Sequence, residues 1–170
     1  MKYEAILALD PSGNFNEGKG TTGWCTYNTA GNYVISTGFI SAKDYDTQEA
    51  YWDAHLKLIE EYVETYTNIL ILVEDYVLYE SKAMTQTHSR METPKVIGII
   101  EHHAWQNKYS LQKQPAHEVK NRWTDPILAH EGIIKKKGNY YVIPGFTTKI
   151  NRHCKDAIRH AVHYNMFKNK

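Results

Sequence analysis

The sequence predicts an α/β domain built on a mixed five-stranded sheet flanked by helices, and three observations carry that prediction. Two five-residue apolar runs, Ala5-Ile6-Leu7-Ala8-Leu9 and Ile69-Leu70-Ile71-Leu72-Val73, read as strands buried on both faces, the kind found inside a parallel sheet. Each run ends on a carboxylate, Asp10 in the first and Glu74, followed by Asp75, in the second. The chain order is three strands, a helix, a strand, and then alternating helix and strand, which suits a sheet of mixed direction.

The first strand covers residues 3–10. The loop Pro11-Ser12-Gly13-Asn14-Phe15-Asn16-Glu17-Gly18-Lys19-Gly20 follows, rich in residues that suit tight or positive-φ turns. Thr21 to Tyr27 and Tyr33 to Ile40 read as two further strands, with Ala30-Gly31-Asn32 as their hairpin turn. Asp46 or Thr47 then caps a helix whose broad face carries Ala50, Ala54, Leu58, Ile59, Tyr62, Val63 and Tyr66. After the strand ending at Glu74, residues 76–92 are polar and read as an exposed connection. Pro94 suits the first turn of a helix through Val96, Ile97, Ile100, Ala104 and Trp105. Leu111 opens a short strand, and Pro115 to Trp123 suggests a short helix. Lys135-Lys136-Lys137-Gly138 reads as an exposed turn before Tyr140-Tyr141-Val142-Ile143, and a last helix should span Thr148 to Phe167.

A chain of 170 residues suits one domain, taken as 1–170, with a sizeable core. Hydrophobic residues make up 42% and charged residues 23%, the ordinary balance of a globular protein. No apolar stretch approaches the roughly 20 residues that span a bilayer, and Met1-Lys2-Tyr3-Glu4 lacks a signal-peptide core. No membrane role and a cytoplasmic location are therefore expected; for a phage-encoded chain that means the host cytoplasm. Cys25 and Cys154 are expected to be reduced. The net charge of +1 hides a division. Residues 1–85 hold five Lys or Arg and thirteen Asp or Glu, a balance of −8; residues 86–170 hold fifteen and six, a balance of +9. Segregated charge favours a polyanionic partner over a small neutral substrate.

An acid that closes a buried strand lies at its carboxyl end, where open α/β sheets keep their sites. Asp10 and Glu74 meet that description. In the last helix His153, Asp156 and His160 fall at i, i+3 and i+7 and share one face. Carboxylates gathered in one place repel one another unless positive charge joins them. A pair of hard divalent cations is the natural partner, because Mg²⁺ favours oxygen ligands and bridges phosphate oxygens. His153 suits either a metal ligand or an acid or base near neutral pH. The pattern points to metal-dependent phosphodiester chemistry.

Leu7-Ala8-Leu9-Asp10-Pro11-Ser12-Gly13 resembles the opening of the RuvC-like Holliday junction resolvases, within the ribonuclease-H-like superfamily. Thr22-Gly23-Trp24 resembles that family's second strand, Val73-Glu74-Asp75 its central acidic strand end, and Pro94-Lys95-Val96-Ile97-Gly98 its Gly-containing helix. His153-Cys154-Lys155-Asp156-Ala157 is similar to the last motif in the variant whose first ligand is His, which looks closest to phage-type members. The ordered set covers nearly the whole chain. The resemblance implies a ribonuclease-H-like fold and a crossover junction endodeoxyribonuclease that cuts four-way and other branched DNA by paired nicks. It implies Asp10, Glu74, His153 and Asp156 as ligands of two Mg²⁺ per site, with Mn²⁺ as a substitute. Lys120, from Val119-Lys120-Asn121-Arg122, would contact the scissile phosphate, with Arg122 in support. Two features depart from the family: a longer loop after Asp10, and Val77, flanked by Tyr76 and Tyr79, where the family has an aromatic three residues past the central acid.

Lys82, Lys113, Lys135, Lys136, Lys137, Lys149, Arg152, Lys155 and Arg159 are candidates for contacts to the DNA backbone. Lys135 to Lys137 equally suit a solvated turn. Two cuts on strands of like polarity imply a homodimer; the stripe Ile97, Ile100 and Ala104 is its candidate interface, or else ordinary core. Two alternatives stand beside this reading: a nuclease acting on RNA–DNA hybrid or flapped nucleic acid, and a non-catalytic DNA-binding module.

Overall fold

The computed structural model describes residues 2–77 and 91–170. Strands β1 (Ala5–Asp10), β2 (Thr21–Asn28), β3 (Tyr33–Ser41), β4 (Ile69–Asp75) and β5 (Leu111–Pro115) form one sheet in the order β3-β2-β1-β4-β5. β1 pairs antiparallel with β2, and β2 with β3, while β4 and β5 run parallel to β1. This is the expected α/β architecture, a mixed five-stranded sheet flanked by helices.

Helix α1 (Gln48–Thr65) links β3 to β4, and α2 (Glu92–Gln106) precedes β5. Two short helices, α3 (Ala116–Val119) and α4 (Asp125–His130), lead to the hairpin of β6 (Lys135–Lys137) and β7 (Tyr140–Val142). Helix α5 (Arg152–Phe167) closes the chain. The Thr47 hydroxyl accepts from Ala50 N at 3.1 Å and the Asn151 side chain from Cys154 N at 2.8 Å, so α1 and α5 each start on a polar cap. Capping at Asn151 sets the last helix four residues later than Thr148.

Strand alternation splits the core in two. Ile6 and Ala8 of β1, with Leu70 and Leu72 of β4, pack under α5 beside Ala157, Ile158 and Ala161. Leu7, Leu9, Ile71 and Val73 face the other way, onto α1 and α2. The period of two therefore carries Asp10 and Glu74 to the α5 face and Asp75 to the opposite one. Cys25 and Cys154 are buried and unpaired on the α5 side.

Besides the start of the last helix, four readings are changed or decided by the structure. On α1 the fully buried residues are Tyr51, His55 and Ile59, while Ala50 is exposed. The inner face is rotated because His55 and Tyr51 bond to Thr22 and Ser12 of the sheet and its following turn. Glu92, read as part of an exposed connection, is buried; its carboxylate accepts from Phe15 N at 2.7 Å and from the Asn16 amide, fixing the long loop after β1. Lys135 to Lys137 form a strand, exposed along its whole length, rather than a turn. Ile97, Ile100 and Ala104 are buried against α1 and the sheet, so the stripe is core and is no free surface for a second copy. Residues 78–90 of the connection, Lys82 and Tyr79 among them, lie outside the described residues.

Candidate active site

β1 and β4 are neighbours in parallel register, Leu9 beside Val73, so Asp10 and Glu74 leave adjacent strand ends about 5 Å apart. The first turns of α5 are laid over them. That approach depends on Gly23, the residue paired with Asp10: a Cβ there would fall 2.1 Å from the backbone carbonyl carbon of His153. Asp156 and His160 follow one and two turns along the same helix face, onto β4 and β5.

Each of the three acids is gripped through one oxygen. Asp10 Oδ2 lies 2.7 Å from His153 Nδ1, and Glu74 Oε2 lies 2.9 Å from His160 Nε2. The Arg159 guanidinium bonds Asp156 Oδ1, bonds Asp125 on α4 as well, and donates through Nε to the Trp123 carbonyl at 2.7 Å. His160 is itself held by Gln114, its Nδ1 being 2.8 Å from Oε1. The Lys120 ammonium reaches the oxygens those grips leave, 2.9 Å from Glu74 Oε1 and 3.3 Å from Asp156 Oδ2. The acids are sunk, with side chains 10% (Asp10), 15% (Glu74) and 4% (Asp156) exposed, whereas His153 at 40% and Lys120 at 32% open to solvent.

The electrostatics follow from this geometry. Burial raises the Asp10 carboxyl above the ordinary range; the His153 bond opposes that and the Glu74 charge adds to it. Burial also works to raise Glu74, but His160 and Lys120 outweigh it and hold the group at about 2. The bond to Asp10 raises His153. Partial burial disfavours the Lys120 charge, yet Glu74 and Asp10 keep its pKa above the usual value.

Among the described residues, no group of three or more His, Cys, Asp or Glu is drawn close enough to hold a metal ion as it stands. The donor chemistry does fit a hard cation. Three carboxylates from three elements converge with their mutual repulsion expressed on Asp10, and a lysine ammonium answers two of them.

The structure thus brings Asp10, Glu74, His153, Asp156 and Lys120 together. Among the described residues, the other basic candidates are engaged elsewhere or stand in solvent. Lys113 pairs with Glu101 at 2.9 Å and with Asp75 at 3.8 Å. Arg122 stacks on Phe167, 4.1 Å from the ring centroid. Lys155 bonds Asp125, and Arg159 is committed to Asp125 and Asp156. Lys135, Lys136, Lys137 and Lys149 are exposed around the β6–β7 hairpin, and Arg152 is 85% exposed, 4.0 Å from Asp156. Sequence reasoning missed Gln114 and Asp125, which no local pattern marks. It placed His160 on the right helix face, the one signal that could have found its bond to Glu74.

No family model matches the chain, and no curated protein does. Among solved structures, the chain is similar to RuvC from Thermus thermophilus in complex with a Holliday junction substrate, with TM-score 0.67, 10% identity, and 98% of each chain covered. A second Thermus thermophilus RuvC structure gives TM-score 0.65 and 11% identity over 96% of this chain and 94% of that one. At this identity the likeness establishes the fold alone, which the described residues share with these RuvC structures.

Proposed function

We propose that the protein is a structure-selective endodeoxyribonuclease that cuts four-way junctions and related branched DNA. The observation that carries this is the convergence of Asp10, Glu74 and Asp156 at the carboxyl ends of β1 and β4, each gripped through one oxygen. Its support is the RuvC-like fold, the ordered motifs, and the basic second half of the chain. His153 at the head of the last motif favours the phage type.

Asp10, Glu74, Asp156 and His153 would hold two Mg²⁺, or Mn²⁺ in substitution. Bound divalent metal lowers the pKa of a water nucleophile and stabilises the leaving oxygen. The chain's own residues supply the rest. Arg159 and His160 fix the rotamers of Asp156 and Glu74, so one oxygen of each acid stays aimed at the shared site. Lys120, half out of the protein between two acids, would swing its ammonium to the scissile phosphate. That movement would relieve its two carboxylates and neutralise charge on the phosphate. His153 is held by Asp10 through Nδ1 and is partly open to solvent, so its other ring nitrogen would be the one to take or give a proton. Paired nicking needs two sites related as the junction strands are, hence a homodimer through a surface other than the buried α2 stripe.

A gel assay tests this reading. A four-way junction, a fork, a duplex and an RNA–DNA hybrid are each incubated with and without Mg²⁺. Mg²⁺-dependent symmetric nicks on the junction are expected. Preferential cutting of the hybrid, or no cutting of any substrate with Mg²⁺ or Mn²⁺, would overturn it.

A further inference from the structure

The β3 edge of the sheet carries a feature that the acid cluster does not use. Phe39 and Phe146 are 57% and 54% exposed, so neither is anchoring the core. With Thr37, Lys149, Asn151 and Cys154 they line a mainly apolar cavity of about 230 Å³ between β3, the segment after β7, and the first turn of α5. Strand register ties this cavity to the acids. Asp10 pairs with Gly23, and Gly23 pairs with Phe39. Directly opposed residues project to the same face, so Phe39 stands on the α5 side, two strand spacings or roughly 10 Å from Asp10.

The rim is positive. Lys149 lies on it, and a bridge between Val142 and Lys149 joins the rim to the hairpin that carries Lys135, Lys136 and Lys137. No carboxylate is among its described lining residues. Polar groups in the wall are already bonded internally: the Thr37 hydroxyl donates to the Trp24 carbonyl at 2.6 Å, and Cys154 Sγ donates to the Gly38 carbonyl at 3.1 Å. What the cavity offers is aromatic surface beside cationic charge, the combination that holds unpaired nucleotides without reading their sequence.

We propose that this cavity takes an unpaired nucleobase of the strand whose phosphate lies at the acids, stacked on Phe39 and Phe146, with Lys149 on an adjoining phosphate. The proposal rests on the branched-DNA reading above and extends it. Bases are free to leave their stack at a crossover and not within a duplex arm, so the subsite gives selectivity for structure. The 10 Å span is about three stacked nucleotide steps of 3.4 Å.

The test is photocrosslinking combined with affinity. Four-way junctions carry 5-iodouracil at successive positions around the cut phosphate and are bound by the Asp10→Asn chain, which leaves them uncut. Irradiation is expected to crosslink one position to Phe39 or Phe146. Phe39→Leu with Phe146→Leu keeps apolar volume while removing both rings. This double variant is expected to weaken junction binding about tenfold, the effect of losing one stacked base, and to leave duplex binding unchanged. Phe39→Tyr should keep both signals. A junction that is bound and cut normally, but crosslinks elsewhere or loses no affinity in the Leu variant, overturns the subsite alone. A chain that binds no branched DNA overturns the subsite and the proposed function together.

Discussion

The two faces of the sheet hold histidine in opposite settings. On the α1 and α2 side, His55 is sealed among neutral groups: its Nδ1 donates to the Tyr51 carbonyl at 2.7 Å, leaving Nε2 to accept from the Thr22 hydroxyl at 2.8 Å. Burial holds its pKa down to about 4. On the α5 side, His153 and His160 meet carboxylates, and Asp10 raises His153. Around His55 the interior is neutral; around His153 and His160 it concentrates charge. That neutral interior still reaches the site, because the Thr22 hydroxyl accepts from Ser12 N at 3.1 Å and Tyr51 Oη donates to Ser12 O at 2.5 Å. Both backbone groups of Ser12, two residues past Asp10, are thereby fixed from the opposite side of the sheet.

The largest break in this comparison is a charge placed in the apolar core beneath α1 and α2. Ile100 is fully buried between α2 and the sheet. Ile100→Lys should cost on the order of 3–5 kcal/mol, unfolding the chain rather than separating two folded copies. Urea denaturation with sedimentation distinguishes these outcomes.

Next comes acid. His55 has a folded pKa near 4 against 6.5 ordinarily, so between those values the unfolded chain binds the extra proton. Its contribution to stability is intact above pH 6.5 and should fall by about 3 kcal/mol as pH drops to 4. His153 acts with the opposite sign: its raised pKa stabilises the fold below 6.5, and that stabilisation is lost as pH rises through the folded value. Denaturation midpoints across this range should fall with acid in the native chain and flatten in His55→Gln.

On the charged face, the grips can be loosened one at a time. His160→Gln and Arg159→Lys should each lower cleavage by roughly 10–100-fold, the usual effect of releasing a ligand's supporting bond. Circular dichroism should show the fold retained. The smallest effect belongs to the hairpin: replacing Lys135, Lys136 and Lys137 by Ala should reduce the log–log salt slope of junction binding by about 0.9 for each phosphate no longer neutralised, with cut positions unchanged.

The sheet was legible because continuous apolar runs and their period of two report strand burial directly. That same period was enough to aim Asp10 and Glu74 at one face and Asp75 at the other. The α2 stripe was ambiguous, since an apolar face looks alike whether it meets a sheet or a second copy. The grip on Asp156 was illegible: Asp125 and Trp123 reach Arg159 only through the fold of the 116–130 segment, which no periodic pattern specifies. Glu92 misled for the same reason, a charge read as solvated until a distant loop supplied its donors.

On the proposed function, the three gripped acids perform cleavage and do not hold the DNA. Asp10→Asn, Glu74→Gln and Asp156→Asn remove charge with little change in shape, and each should be measured twice, for Mg²⁺-dependent cutting of a four-way junction and for affinity to it. Cutting should be lost in all three while affinity stays level or rises, because negative charge beside phosphate has gone. Near-normal cutting by Asp10→Asn, or a loss of binding parallel to the loss of cutting, would contradict it.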